Sequence, residues 1–330
     1  MRQKLRMFGS LGVLLTAVGL LATEQAVARP KRGEATRPQV LVVVNKNSIT
    51  SEDLERLMKS RRVTDEYRSI VEPKFLNELI DLQLIGGYLA KRDTAASGRD
   101  VDQEINRIKQ LAHKNGDEGE SFLKDLGYTE EALRKEIALQ LAWQQHANRT
   151  ITSVRLHEYF NQHRQELDGT KIHVKQIVLK IPADDPAGAD AAEARLQQIR
   201  QQILEKAFTF EDAARKYSET PSGAKGGDLG LISWNGRMPE GFAEVAFRLK
   251  VGELSPVFRT RYGVHLCLVV ERQRGDLSLE DVRKEVQSQM ARELWIDTAA
   301  AERETATIEW KITPPEGVHS PAGPRPSLPK

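Results

Sequence analysis

The chain has 330 residues, room for two domains, with 49 basic against 47 acidic side chains and a formal net charge of +2. A balance this close to zero argues against nucleic-acid or anionic membrane-surface partners. A single cysteine, Cys267, excludes an intrachain disulfide and any Cys/His metal spacing, and within its apolar strand pattern it reads as a small core hydrophobe.

Arg2, Lys4 and Arg6 precede the apolar run Leu11–Ala22, and Ala26-Val27-Ala28 follows as a small-residue cleavage pattern. Residues 1–28 read as a secretory signal peptide. The alternative is a retained anchor, for which the run is short against a span of ~20 residues. No cysteine lies near the cleavage point for lipid attachment. Without Met1–Ala28, 46 basic and 46 acidic residues remain, so the formal +2 belongs to the signal.

Residues 29–38 are basic and proline-containing, expected as a flexible leader. Gln39–Val44 is a β-branched run ending in the turn signal Asn45-Lys46-Asn47. Ser51 is a candidate cap for a helix carrying Leu54, Leu57 and Met58. Thr64–Arg92 is apolar around much of its circumference, which predicts a largely buried helix that Pro73 starts or kinks. Val101, Ile105, Ile108 and Leu111 mark an amphipathic helix over Arg99–His113. Phe122–Tyr128 reads as a short helix and its end, Thr129 opens a long helix through Trp143, and Val154–Leu167 is a last helix before the turn Asp168-Gly169. The first 130 or so mature residues are thus read as one strand and five or six helices.

A strand-like run, Val174–Lys180, follows, then helical patterns over Asp190–Ala207 and Phe210–Ser218 and a glycine-rich loop, Ser222–Gly230. That loop lacks the Lys-Ser/Thr ending and the strand–loop–helix order of a nucleotide cradle, so no ATP is expected. A second apolar strand runs from Val257 to Val270. Leu279, Val282, Val286, Met290 and Leu294 then form a helical stripe with Ser278 as cap, and Thr307–Ile312 alternates as a half-buried strand. Residues 313–330 hold six of the 14 prolines and are expected to be disordered. Gln39–Val44 and Thr307–Ile312 each stand alone beside helices, with ladder groups to satisfy. They are therefore expected to pair, with residues 277–312 packing on the N-terminal helices. His113, His146, His157, His163 and His319 show no metal spacing, and no metal or cofactor is expected.

The order of elements over 171–273, with Gly227-Asp228-Leu229-Gly230, Met238-Pro239-Glu240-Gly241-Phe242, Gly252-Glu253-Leu254-Ser255-Pro256-Val257 and Tyr262-Gly263-Val264-His265, resembles the parvulin family of peptidyl-prolyl isomerases. The layout over 39–168 is similar, in pattern, to the N-terminal domain of SurA-type periplasmic chaperones. The fold class implied is α+β: a mainly helical domain formed from both chain ends, with one inserted parvulin domain built on a four-stranded antiparallel sheet with helices.

Rotating an X–Pro amide means crossing a barrier of ~18–20 kcal/mol. A catalyst needs a dry pocket for the ring and donors placed for the twisted state, but no nucleophile. By resemblance, Leu229, Met238 and Phe242 form the pocket; the plain alternative is that they are ordinary core. His265 matches the second of the family's two histidines, while Gln176 stands where the first is usual. Thr220 takes a Cys-or-Asp position, and Thr260 is a hydroxyl near His265. His173, three residues from Gln176, should face the opposite side of its strand. A hydrogen-bonded Gln176–Thr220–His265 cluster is the expectation, with His265 as a structural histidine the alternative. The basic cluster of phosphate-directed parvulins has no counterpart after Lys180. The resemblance implies an exported folding factor, periplasmic or secreted. It would bind unfolded or partly folded chains and proline-containing peptides, and isomerise X–Pro bonds weakly. The alternative is a non-catalytic holdase whose parvulin domain is a proline-peptide clamp.

Overall fold

The computed structural model describes residues 38–114, 123, 127–182, 185–236 and 238–318. The expected signal peptide, nearly all of the leader, the core of the Phe122–Tyr128 helix and most of the proline-rich tail lie outside the described residues. In chain order the strands are β1 (Val40–Val44), β2 (Asn47–Thr50), β3 (Lys171–Leu179), β4 (Asp228–Ser233), β5 (Phe258–Thr260), β6 (Gly263–Gln273) and β7 (Ile308–Trp310). The helices of one turn or more are α1 (Ser51–Ser60), α2 (Arg68–Ala90), α3 (Gly98–Lys114), α4 (Glu130–Thr150), α5 (Ser153–Gln162), α6 (Arg164–Leu167), α7 (Pro186–Leu204), α8 (Phe210–Tyr217), α9 (Glu240–Arg248) and α10 (Leu279–Thr305). They fall into two compact units. One runs up to Thr152 and resumes at Gln287; the other is Ser153–Val286.

The first unit joins both ends of the chain. Val42, Val43 and Val44 pair antiparallel with Trp310, Glu309 and Ile308, as the unsatisfied ladders required. β1 does not stand alone on its other side, however. Asn45 and Lys46 take φ of 46° and 77°, a two-residue hairpin turn, and β2 returns along β1 to give the order β2-β1-β7. β2 has no signature in the sequence, because its four residues hold one apolar side chain, Ile49, too few to show a period. Asn45 also accepts from Thr307 N through its side chain at 2.9 Å and donates its amide to Thr307 O at 2.9 Å, hooking the C-terminal strand onto the turn.

Thr50, not Ser51, caps α1. Its hydroxyl accepts from Asp53 N, and the Asp53 carboxylate accepts from Thr50 N at 2.8 Å, a reciprocal capping box. Pro73 lies inside α2, so it does not start that helix. Thr129 caps α4, as expected. The strands and α1 bury Val42, Val44, Ile49, Leu54 and Met58 against Phe75, Leu76, Ile80 and Leu84 of α2. α3 and α4 meet through Val101, Ile105 and Ile108 with Leu133 and Ile137. The C-terminal part of α10 lays Leu294, Trp295 and Ala299 on Ile85, Leu89 and Trp143. Arg303, 9% exposed, donates to Asp81 Oδ1 at 2.7 Å and to Asn77 O at 3.0 Å.

The second unit is built on one antiparallel sheet in the order β4-β3-β6-β5. Strand alternation divides its faces. Ile177, Leu179, Val264 and Leu266 pack against Leu196 and Ile199 of α7 and Phe210, Ala213 and Ala214 of α8. Ile172, Val174, Cys267 and Val269 pack against Phe242, Ala243, Ala246 and Phe247 of α9. Cys267 is buried, its thiol pushed up to about 12 by desolvation, which makes it the inert core residue expected. No described helix is long and apolar enough to cross a membrane.

Candidate active site on the β3–β6 face

β4 pairs with β3 only as far as Lys175. Beyond that point the edge of β3 is closed by the loop after α8. Gln176 N donates to Gly227 O at 2.9 Å, Glu219 N to Val178 O at 2.8 Å, Lys180 N to Glu219 Oε2 at 2.7 Å, and Val178 N to the Ser218 hydroxyl at 3.1 Å. Gly227, at φ +83°, lies so close to β3 that an added Cβ would run into the Gln176 carbonyl oxygen. The glycine-rich loop therefore serves the strand edge.

On the α9 side of the sheet, Gln176 stands opposite Cys267, and Val178 opposite His265. Gln176 and His265 thus share one face on adjacent strands. They are 7% and 3% exposed. His173 is half-exposed on the other face and bonds Asp228 Oδ1 at 2.8 Å, as alternation predicted. That contact, with Gly230 N on the same carboxylate oxygen, holds Asp228 below the usual carboxylate range.

His265 Nε2 lies 2.7 Å from Thr260 Oγ1. The same hydroxyl oxygen accepts from Tyr262 N at 3.1 Å. With one proton and a second lone pair left, the hydroxyl serves either neutral tautomer of the ring. Nδ1 is buried and has no partner, and the same is true of Gln176 Oε1. Burial pushes the His265 pKa down to about 4, so the ring is neutral at physiological pH. Phe258 stacks on the imidazole, centroids 5.3 Å apart at 18°, and Phe242 meets it edge-on at 5.8 Å. Phe258 was not singled out from the sequence, although it sits two residues before Thr260 on a short strand and so shares its face.

The expected Gln176–Thr220–His265 hydrogen-bonded cluster does not form. Thr220 is held in the loop on the β3 edge, its hydroxyl 3.2 Å from Ser218 Oγ and 3.0 Å from Ser222 Oγ. His265 turns to Thr260 instead. Leu229, Met238 and Phe242 do come together, in one cluster with Phe258, Ile232 and Trp234. Phe242 is fully buried, while Leu229 and Met238 remain partly exposed. Among the described residues, no group of His, Cys, Asp and Glu could hold a metal.

Comparison with known proteins places this geometry. Residues 177–271 match the Rotamase family, described as a PPIC-type PPIase domain. The foldase protein PrsA of Bacillus subtilis is 29% identical over 222 residues, covering 67% of this chain and 68% of its own. The chaperone SurA of Hahella chejuensis is 26% identical over 288 residues, covering 81% of this chain and 62% of its own. A crystal structure of the peptidylprolyl isomerase PrsA from Bacillus anthracis aligns over 70% of this chain and 96% of its own, at 20% identity and a TM-score of 0.44. With the antiparallel sheet, the apolar cluster and the buried histidine in the matched segment, the chain carries a parvulin domain and has the PrsA foldases and SurA chaperones as homologues.

Proposed function

We propose that the protein is an exported folding factor whose second unit isomerises X–Pro bonds slowly and whose first unit holds unfolded chains. The observation that carries the catalytic half is the neutral His265, its Nε2 occupied by Thr260 and its Nδ1 unpartnered beside the apolar cluster, and to that Nδ1 we assign the ring proton. As a prolyl amide twists, its nitrogen loses resonance and becomes a better hydrogen-bond acceptor. A fixed neutral donor stabilises that state more than the planar one, which is the condition for raising a rate. Leu229 and Met238 take the proline ring, with Phe242 buried in the same cluster.

Gln176 limits the rate. A carboxamide donates and accepts but lacks the electrostatics of a second imidazole. The same substitution favours a second reading, a proline-peptide clamp without turnover. A chymotrypsin-coupled prolyl peptide assay on the protein lacking residues 1–28 separates them. A rate above the uncatalysed one supports the isomerase; peptide binding at the uncatalysed rate makes the domain a clamp.

Client binding is assigned to the first unit, where Ile70, Ile296 and Tyr67 present apolar side chains 70%, 41% and 39% exposed. Homologues named foldase and chaperone fit this reading. Export rests on the signal pattern in residues 1–28. Suppression of aggregation of a denatured test protein without ATP, lost on deleting 39–167, is the expected behaviour.

A further inference from the structure

We infer that the cleft between α3 and α4 binds the main chain of an extended polypeptide, an inference that deepens the client binding proposed for the first unit. Asp100, Gln103, Glu104 and Arg107 line one side of a cavity of about 430 Å³. They stand at positions i, i+3, i+4 and i+7 of α3, a single helical stripe. Leu141, Gln144, Gln145 and Asn148 line the other side and form the same stripe on α4. Helices that close on one another carry apolar side chains at this spacing. α3 and α4 do so elsewhere, where Val101, Ile105 and Ile108 meet Leu133 and Ile137. In the cleft the two stripes hold one apolar residue, Leu141, and enclose a volume within the ~300–1,000 Å³ range of ligand sites.

The free side chains decide what the cleft takes. Glu104 is occupied by Arg107, which donates to its two carboxylate oxygens at 2.8 and 2.5 Å. Asn148 Oδ1 accepts from Gln287 Nε2 at 2.7 Å. The side chains of Gln103, Gln144, Gln145 and Asp100 have no hydrogen-bond partner among the described residues. Each carboxamide has an acceptor oxygen and two N–H donors. A peptide group offers the complement, one N–H and one C=O per residue, whatever its side chain. Along an extended chain the groups on one edge recur every ~6.6 Å, against ~5–6 Å between side chains one turn apart on a helix. A strand laid along the cleft therefore meets a carboxamide at successive turns. A segment already in a helix or sheet has satisfied these groups internally, so the cleft selects unfolded chain. With Glu104 offset by Arg107, Asp100 leaves one negative charge in excess, which favours segments carrying Lys or Arg.

The test uses the whole chain without residues 1–28 and a fluorophore-labelled, unstructured peptide of Gly, Ala and Lys, read by anisotropy. A second probe is the same peptide N-methylated throughout, which keeps every side chain and removes every N–H donor. The variant is Gln103→Leu with Gln144→Leu, at two exposed helical positions where leucine is as good a helix former. Wild type should bind the plain peptide about tenfold more tightly than the N-methylated one, the worth of one or two hydrogen bonds. The variant should bind the plain peptide about tenfold more weakly than wild type does and no longer distinguish the probes. Asp100→Asn should weaken the plain peptide severalfold at low salt and less as salt rises. No binding by wild type, equal binding of both probes by wild type, or unchanged affinity in the Gln103→Leu, Gln144→Leu variant would overturn the inference; no effect of Asp100→Asn would overturn the preference for basic segments. Suppression of aggregation, measured on the same proteins, separates the two readings. A wild type that suppresses aggregation without binding the peptide keeps client holding and removes the cleft. Glutamine-dependent peptide binding without suppression keeps the cleft and removes client holding.

Discussion

Acidification should destabilise the parvulin unit through His265, in a window set by its burial. The folded pKa is about 4, lowered by desolvation, against an unfolded value near 6.5. Below 6.5 the unfolded chain takes up a proton that the folded one refuses, so stability falls with pH until about 4 and changes no further from this group below that. At pH 4.5 the loss from His265 alone is roughly 2–3 kcal/mol, a sizeable part of a domain's stability. Carboxylates held low by partners, Asp228 and Glu211 among them, act further down the scale, as the unfolded chain protonates near 4. The comparison is therefore wild type against His265→Gln, which has no imidazole to titrate, by urea unfolding of residues 153–286 within the whole chain at steps from pH 7.5 to 4.5. The two curves should diverge below pH 6.5, the variant staying flatter. Parallel loss in both proteins, or a folded-state titration of the His265 ring near 6.5, would show that the imidazole is charged in the fold and that the neutral-donor mechanism fails.

Thr260→Val removes the hydroxyl that holds Nε2 and should cost about 1–3 kcal/mol by leaving a buried ring nitrogen unpaired, with Thr260→Ser recovering most of the lost isomerase rate. Phe242→Ala should cost about 3–5 kcal/mol of stability, since the ring is fully buried, whereas Met238→Ala should leave the melting temperature nearly unchanged and weaken a proline peptide by about fivefold. Gln176→His should raise kcat if the missing imidazole limits the rate, read in the coupled assay on protein shown to be folded. A chain ended at Asp276 loses β7, Arg303 and the α10 contacts with Ile85 and Trp143, so its helical unit should melt earlier and less cooperatively; melting identical to the full chain would refute the joining of the ends.

Several features were legible in the sequence because they follow from local rules. Alternation along Ile172–Leu179 assigned His173 and Gln176 to opposite faces, and burial agrees. The helical period placed α3 within a residue at either end. The need to satisfy backbone ladders was enough to pair Gln39–Val44 with Thr307–Ile312 across most of the chain. Resemblance located Leu229, Met238 and Phe242, which the fold gathers into one cluster. Other features depend on which distant segment arrives at hydrogen-bond distance, and residue type does not encode that. Thr220 looked free to meet Gln176 and His265, but the loop carrying it is spent on the open edge of β3, and Ser218 and Ser222 take its hydroxyl first. That Phe242 is fully buried, while Leu229 and Met238 are not, depends on α9 packing against the sheet. The neutrality of His265 has the same origin: an imidazole is ionisable by composition, and only packing between Phe242 and Phe258, with water excluded, makes the charged form too costly to keep.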